Sequence, residues 1–478
     1  MNRKKHTESA SRSVDSRKSP ASVSAAVSEP VYELIIIGGG AAGLYAGAAS
    51  PVNKKIPASG LPSPHPLSDA APPAGRRAAQ GSASRLIIES KDEPGKKLLI
   101  TGAGQCNLTH SGSIRDFPAH YHEAGKKIRP VLYAHSNEKV TDFFQETGVP
   151  TFEREDGKIF PRSLSARQVR DALISKCREN GYHILCDTAC TGLHSLPPQA
   201  SGARFRVISG RRAFLSENVL VTTGGASVPQ TGSDGSFFSV LSDLNIGQNP
   251  LSPALTPVYV QQYPFSELSG ISFPDAESAV CDKNGQIKTQ RKGPILLTRD
   301  SFSGPCIIDS SRYIRTGDIL KINYLPAISP EKLAALLTEE ASRSRANLSA
   351  VLTGAMKENG LSLPQRFIDL QLQRAGADPS RRAAETGKKV WRTIASLFTE
   401  DTYSVSGKGG FSGAMATRGG VLLTDIHMKT MESIRYPGLF FAGEVLDVDA
   451  DTGGYNLQFA FSSAALAIKN IFSKNMCK

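Results

Sequence analysis

The sequence has no apolar run near the roughly 18–20 residues that a helix needs to cross a bilayer, so no membrane span is expected. Its first thirty residues lack the apolar segment of a secretory signal. They are rich in Ser, Lys and Arg, and Glu8, Asp15 and Glu29 speak against a transit peptide, so residues 1–30 read as a disordered basic tail. Cysteine is scarce, seven in 478 residues, too few for a disulfide scaffold. Cys186 and Cys190 have no His or second Cys pair nearby, which leaves zinc without a ligand set. No metal is expected, and reduced thiols in a cytoplasm are.

Positive charge is in excess, with a formal net charge of +12. Its distribution argues against a nucleic-acid partner. Residues 1–30 carry six positive and three negative charges; residues 51–85 carry Lys54, Lys55, Arg76, Arg77 and Arg85 against Asp69. These two segments read as unfolded, which leaves a modest excess on the body. The second is built from Pro, Ala, Ser and Gly and reads as a disordered insertion.

The length implies two or three domains. YELIII at 32–37 is a short apolar run without alternation, the pattern of a strand buried on both faces. Directly after it, Gly38, Gly40 and Gly43 form G-x-G-x-x-G at a helix start. In that motif the first Gly makes a tight turn, the second lets backbone approach a pyrophosphate, and the third packs helix on strand. The helix start at Ala41 and Ala42 adds N–H groups and a positive dipole end for phosphate. RLIIE then reads as the next strand, ending at Glu89, where an acidic residue would bond a ribose. The spacing from Gly43 to Glu89 is long because the insertion lies between them. Nicotinamide and flavin dinucleotides both satisfy this pattern. Further along, 251–326 reads as β-rich, 327–400 as helical, 401–417 as a return to β, and a last helix opens near Gly454.

Four further stretches carry more information: PGKKLLITGAGQCNLTH at 94–110, GKIFPRSLSARQV at 157–169, TTGGASVPQTGS at 222–233, and GGVLLTDI with GLFFAGEVLDVDADTGGYNLQFAFSSA at 419–464. With the glycine motif, they resemble one family of bacterial NAD(P)/FAD-dependent oxidoreductases, described as aminoacetone-oxidase-like or BaiN-like. The resemblance spans about residues 32–470 except the insertion. It implies an α/β fold: a glutathione-reductase-like FAD-binding Rossmann domain made from residues 31–250 and 418–478, with an inserted substrate domain at 251–417 having β and helical parts. It implies bound FAD, with NAD(P)H as a transient electron donor and hydride transfer to a small or medium organic substrate.

Residue by residue, the resemblance assigns cofactor contacts to Lys97, Thr101, Gly102, Gly104, Asn107, Thr223 and Gly224. At the C-terminal end it assigns them to Gly443 and Glu444 as a strand end, to Gly453 and Gly454 as close backbone approach to the flavin, and to Tyr455, Asn456 and Leu457 at the last helix start. Gln105 stands where the family has Arg, and DGSFF at 234–238 departs from its pattern, with Asp234 a candidate for the displaced acid. Cys106 has no second thiol near it in sequence and reads as packing. His110, His120 and His122 read as surface residues, with a proton donor among them as the alternative. A flavin-dependent RNA-modifying enzyme and a non-catalytic FAD-binding protein are the competing readings. No catalytic acid or base and no oligomeric state follow from the sequence.

Overall fold

The computed structural model describes residues 30–53, 84–198 and 201–473. The expected tail and most of the expected insertion lie outside the described residues. The insertion's edges correct the reading from composition: Asn53 and Arg85, both placed in it, are buried. Arg85 belongs to the strand Ser84–Ile88, pairs with Glu33 at 3.0 Å and donates to the carbonyl oxygens of Pro51 and Asn180. Composition cannot reveal this, because the partners that make its burial tolerable are remote in sequence.

The main sheet has nine strands. Its parallel part runs in the order Tyr182–Leu185, Ser84–Ile88, Val31–Ile37, Arg212–Val221, Leu439–Phe441. Leu34 to Ile37 are each at most 2 % exposed, because both faces of the sheet are covered, and that is why the run does not alternate. The register aligns the carboxyl ends: Ile37 lies opposite Ile88 and Val221, and Val221 opposite Phe441. The turns after Ile37 and after Phe441 therefore open at one end of the sheet, one strand apart. Open α/β sheets bind ligands outside these carboxyl ends. The first helix, Ala41–Ala49, packs on the last, Tyr455–Ser473, with Tyr45 stacked on Phe461 at 4.6 Å between ring centroids.

Gln248–Ala254 and Ala416–Val421 pair antiparallel and lead out to the inserted part and back. Six strands there close a small barrel: Val258–Val260, Phe302–Ser303, Ile287–Leu297, Ser272–Cys281, Ile319–Asn323 and Asp401–Lys408. Along Asp401–Lys408, Asp401, Tyr403 and Val405 are buried and the residues between them exposed, as expected of a strand with one face on a core. The helices Pro330–Arg343, Leu348–Glu358, Gln365–Arg374 and Lys388–Thr399 are inserted between two strands that pair with each other, Ile319–Asn323 and Asp401–Lys408. Barrel and helices share one core, with Phe265, Phe302, Phe367, Trp391 and Phe398 fully buried. Among the described residues no helix is long and apolar enough to cross a membrane.

Candidate active site and cofactor cleft

A cleft runs along the carboxyl ends of the central strands, lined both by the glycine fingerprint near the start of the sequence and by residues 444–460 near its end. At its floor the three fingerprint glycines differ in what surrounds them. A Cβ on Gly38, at φ +105°, would lie 2.6 Å from the Thr222 carbonyl oxygen, and one on Gly43 would lie 1.9 Å from the Gly38 carbonyl oxygen. A Cβ on Gly40 would meet nothing within 4 Å. Two glycines thus close the turn on the protein, and the middle one faces open space. The first-turn N–H groups of the helix Ala41–Ala49 have no partners within the helix. Glu89 is held at the end of its strand by the N–H groups of Gly39 at 2.8 Å and Lys91 at 3.0 Å.

Of the expected site residues, Gly38, Gly40, Ala41, Ala42, Glu89, Lys97, Thr101, Thr223, Gly224, Glu444, Asn456 and Leu457 line the cleft; Gly43, Gly102, Gly104, Asn107, Gly443, Gly453, Gly454 and Tyr455 do not. Sequence reading missed Ser90, Gly95, Thr188 to Cys190, Met415 and Val448, which also line it. Thr188 to Cys190 follow the strand Tyr182–Leu185, next to Glu89 in the sheet. Recognising 182–185 as a parallel neighbour would have found them.

The C-terminal junction differs from the expectation. The strand ends at Phe441, and Gly443–Val445 is a separate single turn. A Cβ on Gly443 would lie 2.8 Å from that of Ala42, so this glycine packs the turn against the first helix. Gly454, at φ +99°, would place a Cβ 2.6 Å from the Thr109 carbonyl oxygen, and Gly453 lies against the rings of Tyr455 and His110. These glycines permit close packing of protein on protein. The approach to the cleft comes instead from Asn456 and Leu457, in the first turn of the last helix.

Lys97 and Glu444, expected to meet the cofactor separately, meet each other at 2.7 Å. Lys97 also donates to Ser227, and Glu444 accepts from Ser227 at 3.0 Å and from the Thr417 N–H at 2.7 Å. Burial alone would push the Glu444 carboxyl up; Lys97 and these donors outweigh it and hold the carboxyl below its ordinary range. Asp234, the candidate for the displaced acid, lines the cleft; it is exposed and accepts from the Ser236 N–H and hydroxyl.

In the loop Thr101–Asn107, Gly102, Ala103, Gly104 and Cys106 all have positive φ, which is costly at Ala103 and Cys106. Cys106 is fully buried, and burial pushes its thiol up to about 12, which suits packing and not attack. Gln105 accepts from Arg154, whose guanidinium lies 3.9 Å over the Phe160 ring. A cation therefore stands beside position 105, supplied from another part of the chain.

The three histidines are not a surface scatter. His110 and His120 both stack on the Tyr455 ring, with interplanar angles of 12° and 11°. The side chain of His122 is 5 % exposed. His120 reaches Asp451 at 3.2 Å and His122 reaches it at 3.5 Å. Asp451 is also gripped by Arg291 of the barrel, Asp449 by Arg312, and the Thr452 N–H donates to Asp309 at 2.8 Å. Burial, first, and Arg312, second, hold the His122 imidazole below its ordinary value.

Whether a dinucleotide fits can be tested on the protein's own unsatisfied groups. Among the described residues, buried Thr223 Oγ1 and Ser233 Oγ, both in the cleft lining, have no hydrogen-bond partner, nor has Asn107 Oδ1 in the loop that follows Thr101. Buried polar atoms are nearly always bonded, so a polar ligand is called for here. The open space at Gly40, the fixed Glu89 and these orphans fit FAD.

The family model described as the HI0933-like protein Rossmann domain matches residues 72–470, starting beyond the glycine fingerprint. The 3-dehydro-bile acid delta(4,6)-reductase of Clostridium scindens is 26% identical over 396 residues, 81% of this chain and 93% of that protein. The ribosomal RNA dihydrouridine synthase of Escherichia coli is 26% identical over 437 residues, 91% of this chain and 96% of that protein. Among solved structures, a 3-ketosteroid delta1-dehydrogenase from Sterolibacterium denitrificans aligns with a TM-score of 0.46 and 11% identity, over 93% of this chain and 100% of that one. The chain belongs to the HI0933-like Rossmann family and is an FAD-dependent oxidoreductase.

Proposed function

We propose that this enzyme reduces a carbon–carbon double bond conjugated to a carbonyl in an organic substrate, with NAD(P)H as electron source. The reading is carried by the cleft that the glycine fingerprint and the start of the last helix both line, together with Thr101, Met415 and Leu457. FAD, when bound, supplies the hydride. Gly38, Gly40, Ala41 and Ala42 would hold its diphosphate, Glu89 a ribose, and Thr223, Ser233 and the start of the last helix its remaining polar groups. The names of the two sequence relatives, a delta(4,6)-reductase and a dihydrouridine synthase, both denote saturation of a double bond.

Such a reduction also needs a proton. Of the three histidines the sequence offers as donors, His120 is half-exposed, tied to Asp451 and stacked on Tyr455, and none of the three is in the cleft lining. Met415, exposed and in the cleft lining, offers an apolar surface on which a planar unsaturated ring would rest.

The test is anaerobic. The purified yellow protein is mixed with NADH and NADPH in turn, and then with an unsaturated 3-oxo bile acid or with RNA. Bleaching of the flavin absorption by one nucleotide, followed by its return on adding one of these acceptors, is the expected result. A flavin that neither nucleotide bleaches, or that no unsaturated acceptor re-oxidises, counts against the reading.

A further inference from the structure

The positive charge of the folded body, modest as a total, is concentrated in one place. Residues 341–400 hold ten Lys and Arg against five Asp and Glu, and residues 381–392 hold five against Glu385. The fold gathers part of this run into a patch. Asn347 bridges to Arg382, and backbone hydrogen bonds tie Leu348 to Arg381 and Ala383 to Ala346. Arg345, Arg382, Lys388, Lys389 and Arg392 are all exposed. Among the described residues none of these five is in an ion pair, whereas Arg381 faces Glu385 at 3.6 Å.

Two of them break a local rule. Lys388 and Lys389 open the helix Lys388–Thr399, whose first turn has no acidic residue and whose Gly387 cap offers no side chain. Lysines at the positive end of a helix dipole are destabilising. Local rules broken without a local gain point to function.

We propose that this patch, on the helical layer of the inserted part and separate from the flavin cleft, docks the phosphate backbone of RNA. It deepens the reductase reading by naming what carries the unsaturated ring, and rests on that reading for the chemistry alone. The patch is built for phosphate and not for bases: Trp391, the chain's single tryptophan, is buried, and no exposed large apolar residue lies within it. The same lack removes the apolar anchor that a membrane surface would need. The relative named for ribosomal RNA supports the choice of polyanion.

The experiment compares the full chain with R345Q/R382Q/K388Q/K389Q/R392Q, using fluorescence anisotropy on an RNA hairpin across a salt series. Five phosphate contacts at about 0.7–0.9 each predict a log–log salt slope shallower by roughly 3.5–4.5 in the variant, on the order of a 10²-fold difference in salt sensitivity between about 50 and 200 mM. Flavin content should be unchanged and the melting temperature equal or higher, since two lysines leave a positive helix end. Equal slopes for the two proteins overturn the proposal, because the binding would then reside in other basic segments. So does wild-type capture by anionic phosphatidylserine vesicles without capture of the hairpin. Binding needs no hydride transfer, so failure of the reductase assay leaves this test standing.

Discussion

Gly40 and Gly43 are three residues apart and do opposite things. Gly43 has no room for a methyl group, and Gly40 has nothing but room. The two alanine variants should therefore part company. Gly43→Ala forces helix and turn apart and should cost about 1–3 kcal/mol of stability, in the range of an overpacked core. Gly40→Ala should fold as the parent does, within about 0.5 kcal/mol, yet release FAD on dilution. Thermal melts and flavin fluorescence on both variants check this; a Gly40→Ala protein that keeps FAD as tightly as wild type would remove Gly40 from the cofactor site. The same contrast explains Gly453 and Gly454. Their motif reads as a cofactor turn, but the crowding atoms belong to Thr109, His110 and Tyr455.

Between the last strand of the main sheet and the last helix, the segment 447–452 is where the inserted part is fastened. Asp447 takes Asn249 and the Gly419 N–H, Asp449 takes Arg312, Asp451 takes Arg291, and Thr452 meets Asp309. The acidic pattern DVDAD thus alternates partners drawn from outside the sheet. Asp309 gives this fastening a pH dependence. Burial raises its carboxyl to about 6, assisted by Asp451 and opposed by the Thr452 donors and Arg291. Its folded value exceeds the ordinary unfolded value of about 3.9, so the native state binds the proton more tightly. The stability this contributes is fully present below about pH 4 and is lost as pH rises through about 6. Measured as urea midpoints from pH 4 to 7, wild type should lose up to roughly 3 kcal/mol relative to Asp309→Asn over that window. A difference that stays constant with pH would mean that Asp309 does not titrate there.

The whole molecule places a cofactor cleft between two stretches of sequence that are hundreds of residues apart, and hangs a barrel with its own helical layer beside it. The basic insertion stands in the sequence between two neighbouring strands of the sheet, Val31–Ile37 and Ser84–Ile88. Where it can be cut is decided by Asn53 and Arg85, not by its composition. Replacing residues 54–83 with a short Gly-Ser linker should leave FAD content unchanged. Removing 51–85 takes away Arg85 and its bonds to Glu33, Pro51 and Asn180, and should lower both melting temperature and flavin content. Loss of flavin from the shorter deletion, in a protein that still folds, would show that the segment itself serves the site.

Much of this was readable in one dimension. The run at Leu34–Ile37, the three glycines and Glu89 declare a dinucleotide fold, because strand burial and turn geometry depend on neighbours in sequence. The composition change after residue 250 announces an insertion for the same reason, since alternation and helical spacing are local patterns. What tertiary structure alone decided depends on through-space partners. Lys97 and Glu444 neutralise each other, Arg154 supplies the cation beside Gln105, and three histidines expected at the surface gather around Tyr455 and Asp451. Charge, stacking and desolvation act over a few ångströms whatever the distance along the chain, so the sequence determined which chemical groups are present and the fold determined which of them meet.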